Sequence, residues 1–225
     1  VVALTGAGVS AESGVPTFRG EDGLWKNYRA EEIATPEAFA SNPKLVWEWY
    51  NWRRDLIGSC QPNPAHHALA KLHDAPFGFT LVTQNVDGLH AKAGSMDVLE
   101  VHGCLWRIRC DSCGHIERNE IVPLPEPPLC GCGSPLRPDV VWFGEQLDPV
   151  LLSSITEALS RADVMIVAGT SSVVYPAASF ADYASRAGAK IIEINLDPTP
   201  LTSRADLSLQ GRAGDILPSI VEALL

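Results

Sequence analysis

The chain has 225 residues, 46% of them hydrophobic, and a formal net charge of −10. That length carries one large domain with a full core and room for a small insert. The acidic balance excludes a nucleic-acid binder, which needs a basic surface to displace counterions from phosphate, and no apolar run reaches the ~18 residues that would span a membrane. No secretory leader with a charged start and an apolar middle is present, so a cytoplasmic protein is expected. The chain opens directly on a strand with no initiator methionine, which leaves a preceding segment open.

Val1–Leu4 reads as a buried strand running into Thr5-Gly6-Ala7-Gly8-Val9-Ser10-Ala11, the G-x-G-x-x-A form of the dinucleotide fingerprint. Glycines there let the backbone turn sharply and let a pyrophosphate approach the amides at a helix start; a strand-to-helix turn without a ligand is the plainer alternative. The acid expected about 20 residues on, at the end of a second strand, is not in place, because Glu21 and Asp22 sit in a loop. A hydride-transfer dehydrogenase is thereby weakened and a variant NAD site survives.

Between Arg19 and Gly58 no strand pattern occurs, so a helical excursion is expected. Its main helix, Lys44–Ile57, carries an apolar stripe at Leu45, Trp49, Trp52 and Leu56, with Val46, Tyr50, Arg53 and Ile57 beside it. Arg53 interrupts that second row and has no acidic residue three or four positions to either side. Its guanidinium needs an anion from elsewhere, either a core carboxylate or a ligand. Another helix, Pro64–His73, leads to the strand Phe79–Val82 and the polar run Gln84-Asn85-x-Asp87-x-x-His90. Carboxamides and a carboxylate at a strand's carboxyl end stand where a ligand lies in parallel sheets, or simply cap the next helix. His90 reads as structural. His102 follows the short apolar run Val98–Val101, and a lone histidine after a strand is ordinarily structural too.

Six cysteines are present, and four of them fall in 23 positions as Cys110-x-x-Cys113 and Cys130-x-Cys132. In a chain without a secretory signal that spacing favours a metal over disulfides, and four thiolates suit one tetrahedral structural zinc. Four unconnected buried thiols are the alternative. Cys60 and Cys104 read as ordinary small residues. Beyond the insert come a helix at Pro149–Ser160, the strand Val164–Ala168 ending in Gly169-Thr170-Ser171-Ser172, a helix at Ala177–Ala187, the strand Lys190–Ile194 ending in Asn195, and a helix at Ile216–Leu225. Strands alternating with helices imply an α/β fold, a Rossmann-like parallel sheet carrying a small zinc-binding insert and a helical excursion.

Several blocks together resemble the sirtuin family: Gly6-Ala7-Gly8-Val9-Ser10, Gly14-Val15-Pro16-Thr17-Phe18-Arg19-Gly20, Thr83-Gln84-Asn85-Val86-Asp87-Gly88-Leu89-His90, His102-Gly103, Arg137-Pro138-Asp139-Val140-Val141-Trp142-Phe143-Gly144-Glu145, Gly169-Thr170-Ser171-Ser172 and Asn195-Leu196-Asp197. They come in family order and span nearly the whole chain. The resemblance implies an NAD-dependent protein-lysine deacylase that releases nicotinamide and O-acyl-ADP-ribose. It implies His102 as general base on the nicotinamide ribose, with Asn85 and Asp87 as its catalytic companions. NAD would lie against Gly6, Ala7, Gly8, Ser10, Thr17, Phe18, Arg19, Gln84, Asn85, Asp87, Gly169, Thr170, Ser171, Asn195 and Ala213. The acyl-lysine protein or peptide would meet Val141, Phe143, Gly144, Glu145, Val173 and Tyr175, adding as a strand between two segments.

Tyr50-x-x-Arg53 resembles the pair that marks sirtuins preferring acidic acyl groups, succinyl, malonyl or glutaryl, over acetyl, and the small Ala34 leaves them room. The resemblance makes residues 1–225 one catalytic unit: an NAD-binding domain at about 1–26, 61–103 and 139–225, a helical module at 27–60 and a zinc insert at 104–138. The sequence sets no oligomeric state, and a monomer suffices. An NAD-dependent oxidoreductase, a protein ADP-ribosyltransferase and a silent ADP-ribose reader are the competing readings; His102, Asn85 and Asp87 speak against the reader.

Overall fold

The computed structural model describes residues 1–17 and 29–225. Phe18, Arg19, Glu21 and Asp22 lie outside the described residues. The strands in chain order are β1 (Val2–Thr5), β2 (Thr80–Thr83), β3 (Leu99–Glu100), β4 (Gly103–Arg109), β5 (Ile116–Arg118), β6 (Arg137–Val140), β7 (Val164–Ala168), β8 (Lys190–Asn195) and β9 (Leu207–Gln210). The helices are α1 (Ala7–Ala11), α2 (Ala30–Ile33), α3 (Pro36–Ser41), α4 (Pro43–Ser59), α5 (Pro64–Lys71), α6 (Leu89–Lys92), α7 (Pro149–Ser160), α8 (Phe180–Ala187) and α9 (Ala213–Leu224). No described helix is long and apolar enough to cross a membrane.

Six strands form one parallel sheet in the order β3-β2-β1-β7-β8-β9. Both faces are covered, so β7 is apolar at every position, as is β1 up to its last residue, Thr5. Along β1, Val2 and Leu4 enter the core shared with α7 and α8, whereas Ala3 enters the core shared with α5 and α9. Met165 and Val167 divide from Ile166 and Ala168 in the same way on β7. The strand order reverses between β1 and β7, and such a switch point leaves a crevice at the strands' carboxyl ends.

A second sheet is antiparallel, β5-β4-β6, with a register shift between Cys104 and Ile108. It packs with α2, α3 and α4: Ile33, Val46, Trp47, Trp49 and Tyr50 share one buried cluster with Leu105, Ile108, Cys110, Leu136 and Trp142. The helical segment and the cysteine-bearing segment thus fold against each other although some fifty residues of chain separate them.

One face of α4 makes the joint, through residues spaced at four and three positions. Trp47 Nε1 donates to the Leu136 carbonyl at 2.8 Å. Asn51 exchanges bonds with Leu124, donating at 2.8 Å and accepting its amide at 2.9 Å. Arg54 is fully buried and donates to the carbonyls of Leu105 at 2.7 Å, Asn119 and Ile121. Its guanidinium also lies 5.1 Å from the Trp106 ring centroid. Burial lowers its pKa to about 10, so it stays charged at neutral pH. Removing a buried charged donor strands several carbonyls. Arg54→Met should therefore cost about 3 kcal/mol or more, which at about 2–4 °C per kcal/mol lowers the melting temperature by roughly 6–12 °C. A fall of less than about 2 °C would show that these bonds contribute nothing net.

Candidate functional site

Every parallel strand delivers polar residues to the same edge of the sheet. β1 ends at Thr5-Gly6, β2 at Thr83-Gln84-Asn85, β7 at Ala168-Gly169-Thr170 and β8 at Asn195, and His102 stands two residues beyond β3. The loops after β1 and β7 flank the switch point and touch backbone to backbone. Gly6 N–H donates to the Ala168 carbonyl at 3.1 Å, Gly8 N–H to the Gly169 carbonyl at 2.8 Å, and Gly169 N–H to the Ile194 carbonyl at 2.9 Å. A Cβ on Gly8 would sit 2.8 Å from Gly169 Cα, and one on Gly169, at φ +59°, would sit 2.4 Å from Val9 N. The fingerprint glycines are thus required by this close approach, and the amides of Gly6 and Gly8 are taken up by it. Residues Gly6, Ala7, Gly8, Gly169, Thr170 and Ser171 then form a side-chain-poor floor that fits a dinucleotide's phosphates and riboses.

The β2 loop locks onto this floor. Asn85 Nδ2 donates to the Gly6 carbonyl and to Ser10 Oγ, each at 3.0 Å. Both amide hydrogens are engaged, so Asn85 can serve a ligand only through Oδ1, as an acceptor. Gln84 Nε2 reaches Thr170 Oγ1 at 3.0 Å, and Asn195 Nδ2 reaches the Thr170 carbonyl at 2.8 Å. Asp87 is buried and accepts the Leu89 amide at 2.8 Å, so it does cap α6. Burial raises its pKa; the Leu89 amide, Ser10 and Arg53 oppose that shift. The capping and the ligand readings of this cluster are compatible, since one carboxylate oxygen is enough for the cap.

Below the cluster, Thr5 Oγ1 lies 2.8 Å from both Thr83 Oγ1 and His90 Nε2, and the His90 ring packs on His66 at 4.7 Å. Burial lowers the pKa of His90 to about 3 and of His66 to about 4. Both are neutral supports. Sequence periodicity could not show this network, because its members come from α5, α6 and two strands.

His102 differs from these two. Its Nδ1 lies 3.0 Å from the Gln84 carbonyl. A carbonyl only accepts, so Nδ1 carries the proton and Nε2 presents a lone pair. Burial lowers its pKa below histidine's ordinary value, against the pull of that carbonyl. A neutral imidazole with a fixed tautomer is what a general base needs.

The wall opposite belongs to the smaller lobe. Val141 N–H donates to the His102 carbonyl and Phe143 N–H to the Ala34 carbonyl, each at 2.9 Å. Ala34 is buried at the end of α2. Tyr50 is buried too, its hydroxyl 2.7 Å from Trp142 Nε1. Arg53, one helical turn on, has its guanidinium 5.1 Å from the Trp49 ring centroid. Burial lowers the Arg53 pKa, and Tyr50 and Asp87 lie near enough to pull it back. Tyr50 and Arg53 therefore share one buried helix face, with Asp87 within electrostatic range of Arg53. Glu145 is engaged internally: it accepts two bonds from Arg137, at 2.6 and 2.9 Å, and the Trp142 amide at 2.8 Å. Its carboxylate is therefore committed to the protein itself. Gly144 stands at φ +88° within the same turn. Phe143, Val173 and Tyr175 are exposed, as a peptide-binding rim requires. Ala213 is buried at the start of α9, and the next amide, Gly214, donates to Glu12 at 3.0 Å. Thr17 is the last residue of the first described segment.

The four sulfurs of Cys110, Cys113, Cys130 and Cys132 lie within 4.8 Å of one another, with contacts of 3.5 Å (Cys110–Cys132) and 3.6 Å (Cys113–Cys130). A tetrahedron of thiolates about 2.3 Å from zinc has sulfur–sulfur edges of about 3.8 Å. The donor set fits one structural zinc ion and leaves no protein-free position for catalysis.

The profile of the Sir2 family matches residues 6–176. The NAD-dependent protein deacylase 1 of Archaeoglobus fulgidus is 54% identical over 223 residues, covering 98% of this chain and 91% of that protein. The NAD-dependent protein deacylase 2 of Pyrobaculum aerophilum is 52% identical over 222 residues, covering 98% and 89%. Among solved structures, a Sir2 homolog–NAD complex superposes with a TM-score of 0.94 at 53% identity, covering 99% of this chain and 88% of that one. A Sir2–p53 peptide–NAD+ complex superposes with a TM-score of 0.87 at 35% identity, covering 99% and 92%.

Turnover that depends on neutral His102 falls as acid protonates it. The acid limb of kcat/KM should have its midpoint below 6.5, histidine's ordinary value, and should disappear with the activity in His102→Ala. A midpoint at or above 6.5 would contradict the assignment.

Proposed function

This chain belongs to the Sir2 family, and from that premise we propose that its pocket is built for acyl-lysines whose acyl chain ends in a carboxylate: succinyl, malonyl or glutaryl, with acetyl removed more slowly. The chain is an NAD-dependent protein deacylase. The observation that carries the finer reading is the placement of Arg53 beside Tyr50 and within electrostatic reach of Asp87, in the half-buried wall facing the polar edge of the sheet. A guanidinium held in that wall is desolvated by burial, and its planar fork of donors matches the two oxygens of a carboxylate.

NAD, when bound, supplies an electrophilic ribose carbon with nicotinamide as leaving group. The residues of this chain do the rest. The glycine floor would hold the phosphates, Asn195 and the Ala213 loop would meet the adenosine end, and Gln84, Asn85 and Asp87 would face the nicotinamide end. His102 Nε2 would take the proton of a ribose hydroxyl, whose oxygen then bonds to the acyl carbon; with a water consumed, the acyl–nitrogen bond breaks and the lysine amine leaves. The peptide lies between the 141–145 and 173–175 segments through main-chain bonds, which tolerate varied target sequences. On this reading the whole chain is one catalytic unit, in which the zinc-bearing lobe supplies the acyl pocket and the larger sheet supplies the chemistry.

A charge-assisted hydrogen bond contributes about 1.5–3 kcal/mol, roughly ten- to a hundredfold in kcat/KM. One peptide carrying either succinyl-lysine or acetyl-lysine, followed by mass with NAD present, tests the reading. Wild type should remove succinyl faster, and Arg53→Met should lose desuccinylation by that factor while deacetylation falls far less. Equal losses would make Arg53 a structural residue.

A further inference from the structure

Trp142 sits between Tyr50 and the Arg137–Glu145 pair and is not among the residues assigned to NAD or peptide. Its indole is buried and meets Phe39 at 5.3 Å between ring centroids. The Arg137 guanidinium lies over its ring at 3.3 Å from the centroid. Arg137 is itself fixed by the two Glu145 bonds and by donating to the Val140 carbonyl at 2.9 Å. The Trp142 amide closes the loop onto Glu145. Ring, cation and carboxylate thus hold the indole in one orientation, with Nε1 aimed at Tyr50.

The direction of that 2.7 Å bond is not open to choice. Indole nitrogen donates and never accepts, so the Tyr50 oxygen is the acceptor. One lone pair of the hydroxyl is occupied, and its own proton must point elsewhere. Trp142 is the hydroxyl's one hydrogen-bond partner among the described residues. The Tyr50 ring cannot swing away, because it packs edge-on against Trp49 at 4.6 Å and Trp47 at 6.3 Å.

We infer that Trp142 is a specificity-positioning residue: it fixes the Tyr50 hydroxyl as a donor, so that the pocket offers an O–H from Tyr50 together with the Arg53 cation to a terminal carboxylate. The inference rests on the acidic-acyl reading above and adds the residue that polarises and aims one of its two contacts. An acetyl group carries no acceptor at that depth, so Trp142 has no leverage on deacetylation beyond packing. Charge-assisted bonds are short and directional, and a hydroxyl free to rotate or to accept loses much of its value to an anion.

The test is a double-mutant cycle on Trp142→Phe and Tyr50→Phe, read as kcat and KM for the succinyl-lysine and acetyl-lysine forms of one peptide. Phenylalanine keeps the ring under Arg137 and removes the N–H. Trp142→Phe should raise KM for the succinyl peptide by roughly tenfold, with deacetylation changed by less than about threefold, which also reports an intact fold. In the Tyr50→Phe background the same substitution should change desuccinylation by less than about twofold. Equal loss on both substrates, or additive losses in the double variant, would make Trp142 a packing residue and overturn the inference while leaving the acyl preference standing. A wild type that removes acetyl faster than succinyl would overturn the acyl reading and this inference together.

Discussion

The constraint on which the rest depends is the contact between two backbones at the switch point of the sheet. Gly8 and Gly169 come so close that neither tolerates a Cβ. Their hydrogen bonds tie the loop after β1 to the loop after β7, and through Gly169 to the end of β8. Asn85 then reads the position of Gly6 through its carbonyl, which places the β2 loop, and the Gln84 carbonyl of that loop orients His102. One close approach therefore sets the tautomer of the candidate base through a short chain of bonds. The floor of the cleft is backbone for the same reason: side chains are excluded where two strands' loops meet, and only there can a phosphate lie close to main chain.

A second constraint holds the opposite wall. The smaller lobe builds its core from α2–α4 and the antiparallel sheet, and α4 faces in two directions at once. Trp47, Asn51 and Arg54 grip the cysteine-bearing segment, while Tyr50 meets Trp142 and Arg53 lies over Trp49. A zinc ion on the four cysteines would stiffen the segment that α4 grips, and so would steady α4 itself from outside the polar edge of the sheet.

Much of this was legible in the sequence, for physical reasons that differ by element. Val164–Ala168 is a continuous apolar run because both faces of β7 are buried, and the strand matches the expected span. Antiparallel β4 and β6 gave no such signal: β4 carries a register shift, arginines at 107 and 109, and two of the six cysteines lie in it or at its end, while β6 contains a proline. Edge strand β9, Leu207–Gln210, is only four residues long and mostly exposed, so little marks it. The last helix begins at Ala213, not Ile216, because the Gly214 amide finds its carboxylate in Glu12, 202 positions away. The candidate site residues stand in motifs the sequence shows, and so do Arg137, Trp142 and His90, but the partners of these three do not: Trp142 meets Tyr50, and His90 meets Thr5 and His66, far along the chain. Arg54 stands in no motif, and its carbonyl partners lie more than fifty positions away. Glu145 shows the difference, being part of a recognisable motif whose carboxylate turns out to bind Arg137.

The central claim is that the wall formed by Tyr50 and Arg53 receives a carboxylate. A crystal structure of His102→Ala with a succinyl-lysine peptide and NAD measures this most directly. The distal carboxylate within about 3 Å of both the Tyr50 hydroxyl and the Arg53 guanidinium is the expected result. A succinyl chain turned to solvent, with Arg53 bonded instead to a carboxylate of the protein, would contradict it.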